Sequence, residues 1–152
     1  MSINESLFNL DYKRLIGVLI KYALFGGAGI FLLSFGFLYL SFKAYPVFYE
    51  TYLDGMFNAG GGRDAYFYLH PFILAGGLAV LWYRFRRYLT GNIFSKGIEF
   101  GLMYGIIALI PILWITFSAI NLTTLTVFSW LVYGTVQACI AGVIFAWLNN
   151  KK

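Results

Sequence analysis

Residues 100–120 read FGLMYGIIALIPILWITFSAI and carry no charged side chain. At helical rise a run of this length covers about 30 Å, the thickness of a bilayer's hydrocarbon core. Its apolar residues are continuous and do not alternate at period two, so it reads as a membrane-spanning helix and not as a barrel strand. Three further runs share that character: Tyr22 to Phe42, Tyr66 to Tyr83, and Val127 to Leu148. The whole chain agrees. Its 152 residues are 61% hydrophobic, 21% aromatic and 11% charged, more apolar surface than one small soluble core can hide. The expected fold is an all-α integral membrane protein, a bundle of four transmembrane helices near residues 15–42, 66–87, 98–120 and 126–148 in one membrane domain.

The basic residues set an expected topology. Lys13, Arg14, Lys21, Arg84, Arg86, Arg87, Lys96, Lys151 and Lys152 fall on one side of four spans, and Lys43 and Arg63 on the other. Both termini are therefore expected in the cytoplasm. The first span follows a polar segment with Asp11, Lys13 and Arg14 and has no small-residue cleavage site, so it is expected to remain in the mature protein. The net charge of +5 is spent on this bias. It does not form a basic groove with stacking aromatics, and no nucleic-acid partner is expected. Arg84, Arg86 and Arg87 read as a stop signal whose side chains snorkel towards lipid headgroups.

The segment between the first two spans has the opposite texture. Pro46 can begin a helix, and Glu50, Asp54 and Asn58 then recur every fourth residue on one face, with Phe48, Tyr52 and Phe57 largely on the other. This predicts a short amphipathic helix over about 46–58 on the outer surface, ended by Gly60, Gly61 and Gly62, with Arg63 beyond. No Gly-Lys-Ser or Gly-Lys-Thr follows the glycines, which excludes a phosphate loop. The outer segment, with Phe48, Tyr52, Phe57 and Arg63, is a candidate contact surface.

His70, the single histidine, precedes Pro71. Proline is tolerated in a helix's first turn, so the pair is expected at the outer entrance of the second span. A neutral imidazole there suits either a metal, haem or pigment ligand or an ordinary hydrogen-bond donor. No ligand spacing accompanies it, and the sequence requires no cofactor. Cys139, the single cysteine, cannot form an internal disulfide or a dithiol relay, and reads as a small packing residue. No His-x-x-x-His, paired membrane aspartates or Gly-x-Ser-x-Gly elbow appears, so the chain leans away from enzymes.

Two polar residues lie within the spans. Glu99 stands near the start of the third, where the helix dipole favours a carboxylate and Lys96 or Arg84 to Arg87 are in reach. Deeper in the membrane it would mark an ion path. Gln137 sits near the middle of the fourth span and suits an interhelical hydrogen bond. Small residues mark close packing: Gly101 and Gly105 form a Gly-x-x-x-Gly pair, and Gly134, Ala138 and Gly142 repeat the spacing, within the monomer or towards a second subunit. Pro111 removes a backbone donor in mid-span and is expected to kink the third helix.

The second half, FGLMYGIIALIPILWITFSAINLTTLTVFSWLVYGTVQACIAGVIFAWL, resembles the glycine-punctuated hairpins of uncharacterised bacterial four-span inner-membrane proteins. The resemblance implies a bacterial inner membrane and brings no catalytic residues. Three functions are compatible with these features. The first is a non-catalytic accessory subunit that binds lipids and other membrane subunits, or a second copy of itself. The second is a small homo-oligomeric transporter or channel using Glu99 and Gln137, and the third is a haem- or pigment-binding protein using His70.

Overall fold

The computed structural model describes the backbone of residues 3–44 and 64–150. The outer segment expected over 46–58, with Phe48, Tyr52 and Phe57, lies outside the described residues, as does Arg63. Every regular element described is helical: α1 (Ile3–Ala44), α2 (Asp64–Phe85), α3 (Ile93–Tyr104), a π-helical turn (Gly105–Leu109), α4 (Ile110–Ala119) and α5 (Thr124–Asn150). Among the described residues four helices are long and apolar enough to cross a membrane: Tyr12–Phe37, Ala65–Phe85, Ile93–Ala119 and Thr124–Asn150. The third combines α3, the π turn and α4.

The helix ends follow from local chemistry. Helix α1 has 42 residues, about 63 Å at helical rise, and extends past the apolar run at both ends. Helix α3 starts at Ile93, ahead of the apolar run, because the Asn92 side chain accepts the Ser95 N–H at 2.8 Å and caps the first turn. The connection, expected over 88–97 between the second and third spans, occupies residues 86–92. Gly91 takes φ +92 in that turn, where a Cβ is disfavoured, and Leu89 folds inward. At the other end Thr123 caps α5, its hydroxyl oxygen accepting the Thr126 N–H at 3.2 Å.

Both prolines inside the spans alter the expected picture. Helix α2 begins at Asp64, so Pro71 stands in its interior, beyond the first turn. Its missing N–H leaves one carbonyl of the preceding turn without a ladder partner, which membrane helices tolerate within a packed bundle. Pro71 is buried. In the third span the ladder breaks just before Pro111: the N–H of Ile110 reaches back to Gly105, an i→i−5 bond, and Pro111 then occupies the first turn of α4. A π turn is one means by which a helix accommodates a residue that cannot donate.

Helix α5 is the hub and packs against α1, α2 and α3. Its Phe145 is fully buried and stacks on Tyr22 of α1 at 5.2 Å, with Trp82 of α2 at 5.9 Å and Phe100 of α3 at 6.5 Å. One aromatic cluster therefore joins all four spans. It lies in the first half of α1, the last half of α2, the first half of the third span and the last half of α5, so neighbours along the chain run antiparallel. Lys21, Arg84, Arg86, Arg87 and Lys96 consequently share that end of the bundle, and Lys43 closes α1 at the opposite one.

Glycines let the helices approach this closely. A Cβ at Gly97 would stand 2.6 Å from the backbone nitrogen of Val143, and one at Gly101 2.5 Å from that of Cys139. In lipid, helix association depends on such close packing because apolar burial supplies little driving force.

Candidate functional site

The sequence-predicted residues fall into separate places. Gly101 and Gly105 face Cys139 and Thr135 of α5, Gly134 faces Leu109, and Gly142 faces the Gly97 carbonyl. Ala138 is fully buried. These small residues are thus occupied within the monomer. The Gln137 side chain, 4% exposed, donates to the Ser34 hydroxyl at 2.9 Å and faces α1. Glu99 faces the α2–α3 turn instead, where its carboxylate accepts the Thr90 N–H at 3.4 Å. The two are not brought into one path. His70 is exposed on α2, and among the described residues no group of three His, Cys, Asp or Glu side chains comes together. Cys139 packs on Gly101, its Sγ 3.8 Å from the Ile98 carbonyl.

The three arginines at the end of α2 differ. Arg84 and Arg87 are exposed, but Arg86 is half-buried and turns towards the bundle. Its Nη1 donates to Asn149 Oδ1 at 2.7 Å, a charge-assisted bond that ties the end of α2 to the end of α5. Its guanidinium carbon also lies 4.8 Å from the centre of the Tyr83 ring, within cation–π range. Beside it the Tyr22 hydroxyl and the Trp82 indole N–H are both buried, with Tyr22 in hydrogen-bonding reach of Arg86 and Trp82.

Trp82, Arg86 and Asn149 border a pocket of about 70 Å³ between the α2–α3 turn and the end of α5. Trp82, Arg86, Asn92, Lys96, Ala146 and Asn149 supply most of its wall, and Gly91 contributes backbone. Two cations, amide side chains and the capped first turn of α3 meet there, with no carboxylate among the described lining residues. Such a wall attracts an anion. The sequence marked Arg86 only as one of three basic residues and missed Trp82, Lys96 and Asn149. The visible signal was Asn92 with Ser95 three residues later, a capping pattern that brings the start of α3 down to the turn.

The third span offers a contrasting surface. Its α3 half is pressed against α5, with Gly97, Phe100 and Gly101 buried, yet α4 has no buried residue. Trp114 is 77% exposed, and Ile115 and Phe117 are exposed beside it.

Comparison with protein-family models, curated proteins and solved structures finds no match to this chain.

Proposed function

We propose that this chain is a non-catalytic accessory subunit that binds another membrane protein, or a second copy of itself, within the bilayer. Its setting in this reading is a bacterial inner membrane, with both termini in the cytoplasm. The gathering of Lys21, Arg84, Arg86, Arg87 and Lys96 at one end of the bundle supports that orientation, since basic residues favour the cytoplasmic side.

The observation that carries the subunit reading is the division of the third span. Its α3 half is fitted to α5 by backbone-to-backbone contact, whereas Ile110–Ala119 contributes nothing to the bundle's buried interior. The π turn and Pro111 separate the two halves, so α4 offers Trp114 and Phe117 to a neighbour without disturbing α3. The transport reading draws less support, because Gln137 is committed to Ser34 and Glu99 faces the turn.

Site-specific photocrosslinking tests the proposal in native membranes. A photoreactive phenylalanine replaces Trp114 or Phe117 in the full-length chain, with the same probe at Leu24 on α1 as reference. Discrete protein adducts from the α4 positions and lipid adducts from Leu24 are expected. Lipid adducts from all three positions would overturn it.

A further inference from the structure

We infer that the third span is hinged: α4 sways as a lever about the π turn Gly105–Leu109, while α3 stays fixed on α5. The movement belongs to this chain alone and stands whether or not a partner docks on α4.

Backbone contact sets the fixed side of the hinge. A Cβ at Gly97 or Gly101 would collide with α5 backbone, so α3 has no space in which to shift. Contact this close is what holds helices together in lipid. The fit continues as far as the π turn, where Gly105 lies against the Thr135 side chain and Leu109 against Gly134. The Thr135 hydroxyl donates to the Leu131 carbonyl of its own helix, so it meets Gly105 by contact alone.

Beyond the π turn these restraints stop. None of the residues Ile110–Ala119 is buried. Both α4 hydroxyls are used inside the helix, Thr116 on the Ile112 carbonyl and Ser118 on the Ile115 carbonyl, each at 2.8 Å. A segment with few buried contacts is the part of a fold that moves at low cost.

Between the two sides the backbone is already loosened. The Ile110 N–H reaches back to Gly105, and Pro111 has no N–H, so the ladder is one bond short where α4 begins. An unbroken α-helix must break a hydrogen bond to bend sharply, whereas here there is none to break at Pro111.

The far end of α4 is tethered, which limits the sway. Residues 120–123 join it to α5, and the Leu122 N–H bonds to the Ile120 carbonyl at 2.8 Å, folding this link back on itself. Opening the fold releases slack on the order of a few Å, enough for a lever to tilt and too little for it to leave α5.

Double electron–electron resonance on the full chain in phosphatidylcholine nanodiscs tests the hinge. In a Cys139→Ala background, Leu24→Cys on α1 is paired with Leu102→Cys on α3 or with Ile115→Cys on α4, all exposed positions, for nitroxide labelling. Leu24 is common to both pairs, so its own motion cancels. The distance distribution to Ile115 is expected to be about twice as broad as that to Leu102. Pro111→Leu restores the missing donor and is expected to narrow the Ile115 distribution towards the Leu102 width. Equal breadth of the two pairs without the Pro111 substitution overturns the inference, and that comparison decides even where Pro111→Leu fails to fold. So does a broad Ile115 distribution that Pro111→Leu leaves unchanged, because motion indifferent to the missing bond is fraying of α4 and not a hinge.

Discussion

The Gln137 amide donates to the Ser34 hydroxyl at 2.9 Å, joining α5 to α1 across 103 positions of sequence. Gln137 is the buried polar residue of the described core, and Ser34 is its acceptor. Ser34→Ala is expected to cost about 1–2 kcal/mol, because it strands a buried amide. Gln137→Leu removes the polar group with little change of volume and is expected to stay within about 1 kcal/mol of the parent. Reversible unfolding in bicelles measures both. A larger loss for Gln137→Leu than for Ser34→Ala would reverse this account.

Gly101 and Gly36 give a matched pair in one protein. A Cβ at Gly101 meets backbone and side-chain atoms of Cys139, whereas one at Gly36 meets nothing within 4 Å. Backbone cannot rotate away, so Gly101→Ala must push α3 from α5 and is expected to cost about 1–3 kcal/mol. Gly36→Ala is expected to be neutral or to stabilise by about 0.5–1 kcal/mol through helix propensity. Thermal denaturation in detergent ranks the two.

Phe145 touches an aromatic ring on each of the other three spans. Truncation to Ala opens a cavity among Tyr22, Trp82 and Phe100. In a soluble core the cost is about 3–5 kcal/mol. Part of that is transfer from water, which lipid does not supply, so a loss of about 2 kcal/mol is expected here. Its signature is increased hydrogen exchange in α2 and α3 together, since both lean on the same ring.

Asn92 anchors the early start of α3 through the Ser95 N–H. Asn92→Ala is expected to cost about 1 kcal/mol, and Asn92→Asp or Asn92→Ser to retain most of the cap. Hydrogen exchange at residues 93–97 should rise in the alanine variant and remain near the parent in the other two. Equal exchange in all three would show that packing against α5 alone holds this turn.

The spans themselves were legible without a structure. An apolar run long enough to cross a bilayer is a property of consecutive residues, so Phe100–Ile120 and the three other runs declare four helices directly. The interruption at Pro111 was legible for the same reason, because a missing N–H acts on its own turn. The early start of α3 was only half visible: Asn92 and Ser95 have cap spacing, but the polar residues between them and the apolar run resemble a loop. Pro71 misled, since its tolerance in a first turn says nothing of where that turn begins.

What tertiary structure alone decided is which of several equivalent residues meets what. Arg84, Arg86 and Arg87 are interchangeable as charges in a sequence, yet only Arg86 points towards Asn149 and the pocket, because helical rotation turns adjacent residues to different faces. Gly101 and Gly105 announced close packing, but not that α5 would receive it. Trp82 read as one more aromatic in an apolar run, and its burial beside Tyr22, Phe100 and Phe145 emerged only when the helices packed. Sequence thus determined the length and chemistry of each span, which depend on neighbours along the chain. The pocket and the hub depend on neighbours across space, chosen by helix packing among residues as far apart as Tyr22 and Phe145.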